Sequence, residues 1–393
     1  MQERLDLKEL GLERGGHILL KRALEHISVG EPLEVYGSDP MLSMHLEVWA
    51  RAQGHGFRAP ATLVRGGAQV GRWRGAQRSG GPDPKLDGNV VDNPAATWGL
   101  AARGAQVEAG GPHFDFPLAD KNVVWADEAA KLYAQAAAAQ WDPESAIDWQ
   151  AAITHPEEVE DAVVQVMTYL IENETAALIV PANFLAKLHP HFKEVMQVLA
   201  IQAADEARHI EVFTRRALLK RKELGLSTVG GQASLKTLID EPDFALAAFM
   251  LSVLGEGSFL SLLWFLNAHA PDPVTAQVAK LAAQDEARHV AFGLAHLRRH
   301  LSVEPQLKGR LTMAVEQRHQ SLSHTSGLNE EVFDALVVLA AGAFTHEAIA
   351  EGYIKVQALK AEMDEGRQSR LLKLGFSAAE ADSLSQLHTR NFM

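Results

Sequence analysis

The chain has 393 residues, of which 47% are hydrophobic and 22% charged, and these values are ordinary for a soluble globular protein of two or three domains. The formal net charge of -13 argues against nucleic acid as the main partner. Because the chain has no cysteine, disulfides, thiolate metal sites, iron–sulfur clusters and cysteine nucleophiles are excluded. Any metal must be held by carboxylate, imidazole, carbonyl or water ligands, a set that suits Fe, Mn or Zn.

Two segments bear on the location of the protein. The first residues lack the cationic, apolar and small-residue succession of a signal peptide. The apolar run 244–266 is long enough to span a bilayer, but Glu256 stands at its midpoint between Gly255 and Gly257. We therefore predict a buried bundle helix rather than a membrane segment, and a cytoplasmic protein.

Residues 1–60 predict a small α+β domain, because apolar residues change between strand spacing and helix spacing along them. Gly54 is expected to end the second helix of this domain. The expected elements are strands at 5–7 and 34–36 and helices at 16–27 and 41–52.

Residues 61–126 form a second region, rich in glycine, arginine and proline as far as about residue 111. Glycine and arginine alternate there, as at Gly71 and Arg72, and such a composition is typical of turns and loops. We interpret the region as an extended linker that wraps the following domain. A basic binding surface is the alternative.

Nearly all of residues 127–393 has the spacing of amphipathic helices. Four long segments with apolar faces are joined by short connections that contain Gly, Pro and Asp, which favours a four-helix bundle. The expected helices are 127–140, 157–188, 190–224, 242–268, 273–300, 311–323, 329–363 and a short helix at the end.

The most informative feature is an internal repeat within this region. The five residues of Asp205–His209 recur without change as Asp285–His289. Helical periodicity requires only apolar spacing, so an identical pentapeptide with four polar residues needs another explanation. We interpret the repeat as two matching halves of one site.

Each copy of the repeat places a Glu and a His on one face of a helix, because residues i and i+3 are neighbours there. The pairs are Glu206 with His209 and Glu286 with His289. The other residues on these faces are small or apolar, so the pairs are expected to point inward. A buried carboxylate is costly unless it is paired or coordinated, and two inward copies on separate helices therefore indicate metal ligands.

A dinuclear carboxylate site takes one further Glu from each of the other two helices. Glu256 is the only acidic residue within its apolar run. On the first long helix, Glu172 and Glu174 fall on different faces, and the apolar stripe passes through 174. Glu174 is predicted and Glu172 is the alternative, since a bend at Pro181 would shift this phase. The predicted ligands are Glu174, Glu206, His209, Glu256, Glu286 and His289.

This pattern resembles the ferritin-like di-iron carboxylate superfamily over residues 127–300. The Asp-Glu-x-Arg-His spelling is most similar to bacterial multicomponent monooxygenase hydroxylases and soluble acyl-carrier-protein desaturases. The segment 140–149, with Gln140-Trp141-Asp142, also resembles ferritin-like oxygenases. The resemblance implies two iron ions, or manganese or a mixed pair, with two of the four glutamates bridging the metals and one histidine on each.

The same resemblance implies partners for the metal-binding histidines. Asp205 and Asp285 would each accept a hydrogen bond from the histidine of the opposite repeat, and Arg208 and Arg288 would pair with these aspartates. A ligating imidazole usually donates its second N–H to such an acceptor, which fixes its tautomer.

Two departures from related families limit the expected chemistry. Phe213 stands where the ribonucleotide reductase small subunit has a radical tyrosine, and Ala282 stands where arylamine N-oxygenases have a third histidine. Neither of these two activities is therefore expected. His346, Glu347 and Glu351 are interpreted as ordinary polar positions of an apolar helix.

The N-terminal domain resembles a TusA-type sulfur-carrier domain over residues 5–55. Gly30-Glu31-Pro32-Leu33 and Asp39-Pro40 are among the matching residues, but Arg14 and Gly15 stand at the family's Cys-Pro pair. Without a thiol the domain cannot hold a persulfide, so we infer a docking role toward an electron-donor or sulfur-transfer protein.

The leading hypothesis is an O2-activating di-iron oxidoreductase, that is, an oxygenase, hydroxylase or oxidase, in the form of a homodimer. Its small-molecule substrate is expected to be apolar or aromatic, although core packing also explains the residues that suggest it: Phe213, Phe249, Phe259 and Leu260. One alternative is a non-catalytic iron- or manganese-binding or storage protein. Another is an adaptor that recruits a sulfur-transfer partner and holds structural metals.

Overall fold

The computed structural model of the chain describes residues 3–67, 73–322 and 330–388. Gly71 and Arg72 of the predicted linker, and the predicted helix ends Ser323 and Asn329, lie outside the described residues. The chain forms two compact units, which are Met1–Gly81 with Thr97–Phe114 and Pro82–Ala96 with Asp115–Met393. The three-part division at residues 60 and 126 stays a prediction.

The first unit contains a four-stranded sheet and two helices. Its elements are β1 (Glu3–Asp6), α1 (Gly16–Glu25), β2 (Pro32–Tyr36), α2 (Leu42–Gln53), β3 (Gly56–Arg58) and β4 (Thr62–Val64). β2 pairs in parallel with β1 and antiparallel with β4, which pairs antiparallel with β3. Leu20 and Leu46 of the helices are fully buried in the same core as Leu33 and Leu63 of the sheet.

The sequence predicted the first four of these elements and missed β3 and β4. Each of the two missed strands has three residues, which is too short for alternation to be recognised. Gly54 adopts a left-handed conformation with φ 72 and ends α2, as expected. A separate antiparallel pair, β5 (Gln77–Arg78) and β6 (Gln106–Val107), completes the strands in the described part of the chain.

The second unit is helical. Its helices are α3 (Lys121–Val124), α4 (Ala129–Ala138), α5 (Pro143–Ala146), α6 (Glu157–Leu185), α7 (Lys193–Ala217), α8 (Val229–Ile239), α9 (Phe244–His269), α10 (Pro273–Val303), α11 (Leu307–Leu322), α12 (Glu330–Ala341), α13 (His346–Lys373) and α14 (Ala378–His388). In the bundle, α6 packs along α7, α9 along α10, and α7 contacts α10. The predicted fold class is confirmed: a mostly α, ferritin-like bundle with extra C-terminal helices, preceded in sequence by a small α+β region.

Three features of the helical unit differ from the expectation. α8 was not predicted, because its first turns contain Gly230 and Gly231 and show no strong periodicity. Within α9, Phe249–Glu256 is a π-helix, a wide form of helix that is common at functional sites. The single helix predicted over 329–363 is wrong: Gly342 takes φ 68, and α12 and α13 meet at 116°.

Among the residues that the structure describes, two helices, α6 and α9, are long and apolar enough to cross a membrane by length and composition. The bent pair α12 and α13 would make a third if it counted as one span. The apolar window of α6 is 72% buried inside the protein and that of α9 is 78% buried. Both helices therefore use most of this apolar surface for packing within the bundle.

Arg216 connects three helices of the bundle through a buried network. Its guanidinium donates two hydrogen bonds to Glu160 of α6 at 2.7 and 2.9 Å, and one of 2.8 Å to Asp272 before α10. A further bond of 2.7 Å reaches the Thr275 hydroxyl. Arg216 is 0% exposed, so its charge is neutralised by these two carboxylates rather than by water.

Replacement of Arg216 by Met should lower the free energy of unfolding by about 3–5 kcal/mol, because two buried carboxylates would lose their cation. Chemical denaturation followed by circular dichroism measures this change. Arg221→Met is the matched control, since the 2.7 Å pair of Arg221 with Asp161 lies at the surface, where solvent screens it, and its loss should change the free energy of unfolding far less. Equal effects for the two variants would contradict the role given to the network.

Candidate metal centre

The six side chains predicted as ligands lie together inside the bundle. The two copies of the repeat occupy the neighbouring helices α7 and α10, and α6 and α9 supply one glutamate each. Each of the six residues is at most 5% exposed. They are Glu174, Glu206, His209, Glu256, Glu286 and His289.

The donor atoms of these residues form two overlapping groups, within each of which they lie no more than 4.8 Å apart. Glu206 and Glu286 belong to both groups. Two ions with two glutamates between them would fit this arrangement, which is that of dinuclear sites in four-helix bundles. The groups are Glu174, Glu206, His209 and Glu286, and Glu206, Glu256, Glu286 and His289.

Both histidines direct Nδ1 at the glutamates. The Nδ1 atom of His209 lies 3.1 Å from Glu206 Oε2 and 3.6 Å from Glu174 Oε1. The Nδ1 atom of His289 lies 3.0 Å from Glu206 Oε1 and 3.4 Å from Glu286 Oε2. A pair of cations between these groups would therefore find one imidazole on each side.

The opposite ring nitrogen of each histidine faces an aspartate of the other repeat. Nε2 of His209 lies 3.2 Å from Asp285 Oδ2, and Nε2 of His289 lies 3.3 Å from Asp205 Oδ2. An imidazole that donates from Nε2 keeps the lone pair of Nδ1 for a metal, so these contacts select the tautomer that a ligand needs.

The two arginines of the repeat stabilise the aspartates. Arg208 donates to Asp205 Oδ1 at 2.5 Å and to Asp285 Oδ2 at 2.8 Å, so one guanidinium joins both carboxylates. Arg288 donates to Asp285. These cations favour ionised aspartates, which are the stronger acceptors for the imidazoles.

Glu172, the alternative on α6, does not take part in either group. Its side chain is half-buried, whereas Glu174 is 2% exposed. α6 continues through Pro181 as far as Leu185, so the helical phase from which Glu174 was chosen holds at that position.

Sequence reasoning missed Gln202. Its Nε2 donates a 2.7 Å hydrogen bond to Glu256 Oε1, and both residues are buried. One feature of the sequence could have indicated it: Gln202 stands one turn before Glu206, on the same face of α7. The contact orients Glu256 and leaves its second oxygen, Oε2, for a cation.

Sequence reasoning also gave no roles to Gln140 and Trp141, although both belong to the segment used for the resemblance. Gln140 Nε2 donates to Asp205 at 2.8 Å, and Trp141 Nε1 donates to Asp285 at 2.8 Å. The Trp141 ring also stacks on His209, with ring centroids 6.5 Å apart. Both residues precede the bundle in sequence, so only the folded chain reveals these contacts.

Burial and mutual repulsion govern the ionisation of the glutamates. Burial, and then the charges of Glu206 and Glu286, raise the pKa of Glu174 well above its usual value. Burial, and then the charge of Glu286, do the same to the pKa of Glu256. Burial would also raise the pKa of Glu206, but the nearby His289 outweighs it and holds that pKa below its usual value.

The two histidines respond to the same carboxylates. Burial would lower the pKa of His209, but the contact with Asp285 and then the nearby carboxylate of Glu174 raise it well above its usual value. Burial would also lower the pKa of His289, and the charge of Glu206 raises it. The cluster thus needs positive charge, either as protons or as the cations that would replace them.

Unsatisfied oxygens provide the test of whether metal ions fit this site. Glu174 Oε1, Glu256 Oε2 and both oxygens of Glu286 accept no hydrogen bond from any residue of the described ranges. A buried acceptor without a donor costs about 1–3 kcal/mol. Four carboxylates carry the charge that two divalent cations neutralise, and oxygen and imidazole ligands suit iron and manganese. The residues present therefore fit a pair of such ions.

An apolar pocket reaches the glutamates from one side. Its walls include Leu235 and Leu238 of α8 and Phe259 of α9. Glu174, Glu256 and Glu286 also line it. Of the four apolar residues expected near the site, Phe259 lines this pocket, while Phe213 and Phe249 are fully buried in the core.

Comparisons with known proteins give no family model and no curated protein that matches the chain. One similar solved structure is an R2-like ligand-binding oxidase variant with an aerobically reconstituted Mn/Fe cofactor, at 16% identity and TM-score 0.48, covering 64% of this chain and 94% of that chain. Another is a variant of such an oxidase with an Fe/Fe cofactor, at 17% identity and TM-score 0.48, covering 64% and 93%. The two groups of metal-binding donors described above follow from distances within this chain and not from these similar structures.

Glu286→Ala and His209→Ala should each leave the protein with fewer than two metal ions per chain and with its helix content nearly unchanged. Each variant removes a donor from the cluster, while the bundle core remains. Metal analysis and circular dichroism measure the two quantities. Glu172→Ala, two residues from Glu174 and outside both groups, is the control and should retain full occupancy. Two metals per chain in both test variants would contradict the ligand set.

Metal binding should release protons. In the metal-free protein the raised pKa values of His209 and His289 favour the protonated imidazoles, and the raised pKa values of Glu174 and Glu256 favour the protonated carboxyls. A cation must displace these protons, so its apparent affinity should fall as the pH is lowered. Calorimetric titration of Mn(II) in buffers of different ionisation enthalpy counts the protons. An affinity independent of pH would contradict this expectation.

Proposed function

We propose that this protein is an O2-dependent oxidoreductase whose centre is a pair of iron ions, or one iron and one manganese. The proposal depends on one observation above all: Glu206 and Glu286 are shared by two overlapping groups of buried donors. In this proposal both ions would share Glu206 and Glu286, and each ion would have one further glutamate and one histidine. Glu174 and His209 would hold the first ion, and Glu256 and His289 the second.

A reduced metal pair of this type, when bound, supplies the electrons with which O2 is reduced. The protein's contribution is to position the ions and to keep water from the reaction. Leu235, Leu238 and Phe259 give the adjoining pocket apolar walls, which favours a small apolar or aromatic substrate. Gln202 holds one oxygen of Glu256, so that this carboxylate is presented in a fixed orientation.

Electrons must reach the centre from a reductant, and Trp141 offers a path for them. Its indole is half-buried and donates to Asp285, which in turn contacts His209. The indole also lies 4.6 Å from the Arg208 guanidinium, which fixes the ring beside the network. We propose this chain of contacts as the route from an electron-donor protein to the ions.

The first unit belongs to the proposal as a docking domain. Its elements follow the order β1-α1-β2-α2-β3-β4. In the sequence resemblance to sulfur-carrier domains, Arg14 and Gly15, which precede α1, stand where that family has its thiol. We propose that it binds an electron-donor or sulfur-transfer protein without carrying sulfur. A cytoplasmic location and a homodimer are further parts of the proposal.

The rival function is binding or storage of iron or manganese without catalysis. The number of metal ions distinguishes the two. A dinuclear enzyme takes up about two ions per chain and then saturates, whereas a storage protein continues to take up iron as O2 is supplied. The pocket that opens on three of the glutamates favours the enzyme, since storage requires no apolar space beside the ions.

Anaerobic loading with Fe(II) followed by exposure to O2 tests the proposal. We expect O2 consumption to follow the content of dinuclear centre, with a transient change in optical absorption in stopped-flow measurements. Glu286→Ala should lose most of the O2 consumption, and Glu172→Ala should retain it. A fully loaded, reduced protein that consumes no O2 would refute the oxidoreductase, and uptake of many irons per chain would favour storage.

A further inference from the structure

A second cluster of buried charges lies among the C-terminal helices. Arg318 of α11 and Arg367 and Arg370 of α13 are 7%, 1% and 9% exposed, and His388 of α14 is 6% exposed. Arg318 Nη1 lies 3.4 Å from His388 Nδ1. Arg367 Nε donates to Ser385, which lies one helical turn before His388 on the same helix. Burial, and then the charges of all three arginines, hold the pKa of His388 well below its usual value. We call these four residues the arginine cluster.

The hydrogen-bond partners of the three arginines are neutral. Arg318 donates to hydroxyl groups at 2.7 and 2.8 Å, Arg367 donates to hydroxyl groups at 3.0 and 3.2 Å, and Arg370 donates to a backbone carbonyl at 2.7 Å. These acceptors are, in the same order, Thr237, Ser234, Ser385, Ser258 and the carbonyl of Val253. Neutral acceptors orient the guanidinium groups but leave their charges uncompensated.

Carboxylates are scarce around the arginine cluster. Within the described ranges, the one ion pair of these arginines joins Arg367 to Asp364, at 3.8 Å. Arg216 of the bundle shows the contrast, because it is equally buried and meets two carboxylates. Burial lowers the pKa of Arg318, Arg367 and Arg370 to about 10 in each case, whereas the partners of Arg216 outweigh its burial and raise its pKa.

Some donors of the arginine cluster also have no partner. In the part of the chain that the structure describes, Arg370 Nη2 and His388 Nε2 are buried without a hydrogen bond, and so is the Tyr169 hydroxyl. An unsatisfied charged donor costs more than a neutral one, and several cations in one dry region repel each other.

We propose that the arginine cluster binds a small oxyanion, namely a carboxylate or phosphate group. Such a group neutralises buried guanidinium charge and accepts the parallel N–H bonds that the guanidinium fork presents. A carboxylate on a substrate and a free phosphate share this chemistry. None of the six predicted metal ligands belongs to this site. Its support is the burial of the arginine cluster and the lack of carboxylate partners around it.

The position of Arg370 links this anion site to the metal centre. Its Nε donates to the carbonyl of Val253, within the π-helix that ends at Glu256. A Cβ on Gly257 would lie 2.4 Å from Arg370 Cζ, so glycine at the residue after Glu256 makes room for the guanidinium. An anion on Arg370 would therefore bind next to the turn that presents Glu256.

Anion titrations of the metal-free, full-length protein test the proposal without involving the metal centre, which could itself bind phosphate or acetate. Inorganic phosphate and acetate, titrated at constant ionic strength, should show saturable binding by calorimetry and raise the melting temperature. Arg370→Met should weaken binding about ten- to hundred-fold, the equivalent of one lost charge-assisted hydrogen bond. Arg298→Met is the control and should bind as the wild type does, since Arg298 is exposed and pairs with Glu128.

Gly257→Ala provides a second variant that keeps every charge of the arginine cluster. The added methyl group displaces the Arg370 guanidinium and should also weaken anion binding, so the test remains decisive if Arg370→Met does not fold. A response to phosphate alone or to acetate alone supports the proposal and identifies the bound group. Binding that is absent, or that is equal in the wild type and in both variants, overturns it. Because no metal is present, neither result depends on whether the protein reacts with O2.

Discussion

The rest of the structure depends on one constraint: four glutamates are buried close together inside a helix bundle, and their charge must be balanced. Ionised carboxylates at this separation repel each other and are costly to bury, so positive charge must accompany them. The bundle directs two imidazoles into the same space, supports each with an aspartate, and joins both aspartates to Arg208. Several glutamate oxygens still have no donor in the described part of the chain. Two divalent cations satisfy both requirements, because they neutralise the charge and occupy the free oxygens.

The need to balance buried charge also distinguishes the other buried charges of the second unit, which differ in whether the chain supplies an opposite charge. Arg216 is compensated by Glu160 and Asp272, and this network requires nothing from outside the chain. The glutamate cluster requires cations and the arginine cluster requires an anion. The two incomplete clusters are connected, because Arg370 contacts the π-helix that presents Glu256. A π-helix, a glycine that accommodates a guanidinium, and a glutamate that faces the ions thus occur within one segment of α9.

The sequence was most informative where the chemistry repeats at short range. The i, i+3 spacing and the identity of the two pentapeptides placed Glu206, His209 and their counterparts on facing helices, and the charge of Glu256 within an apolar run marked it as inward. The contacts of Gln202 and Trp141 could not be predicted, since each joins residues far apart in the chain. The π-helix was also missed, because local spacing does not record how a helix adapts to its neighbours. The break at Gly342 was missed as well, and α8 was missed because its glycine-containing first turns show no strong periodicity.

The sequence by itself determined the class of fold and the inward direction of Glu256 and of the Glu and His in both repeats, because helical period and the cost of burying charge act on residues that are close in sequence. Only the tertiary structure decided which glutamates are shared between the two groups, which aspartate meets which histidine, and that Arg318 of one helix contacts His388 of another. These outcomes depend on how separate helices approach each other. The approach is set by packing over the whole core, and no single segment of the chain contains that information.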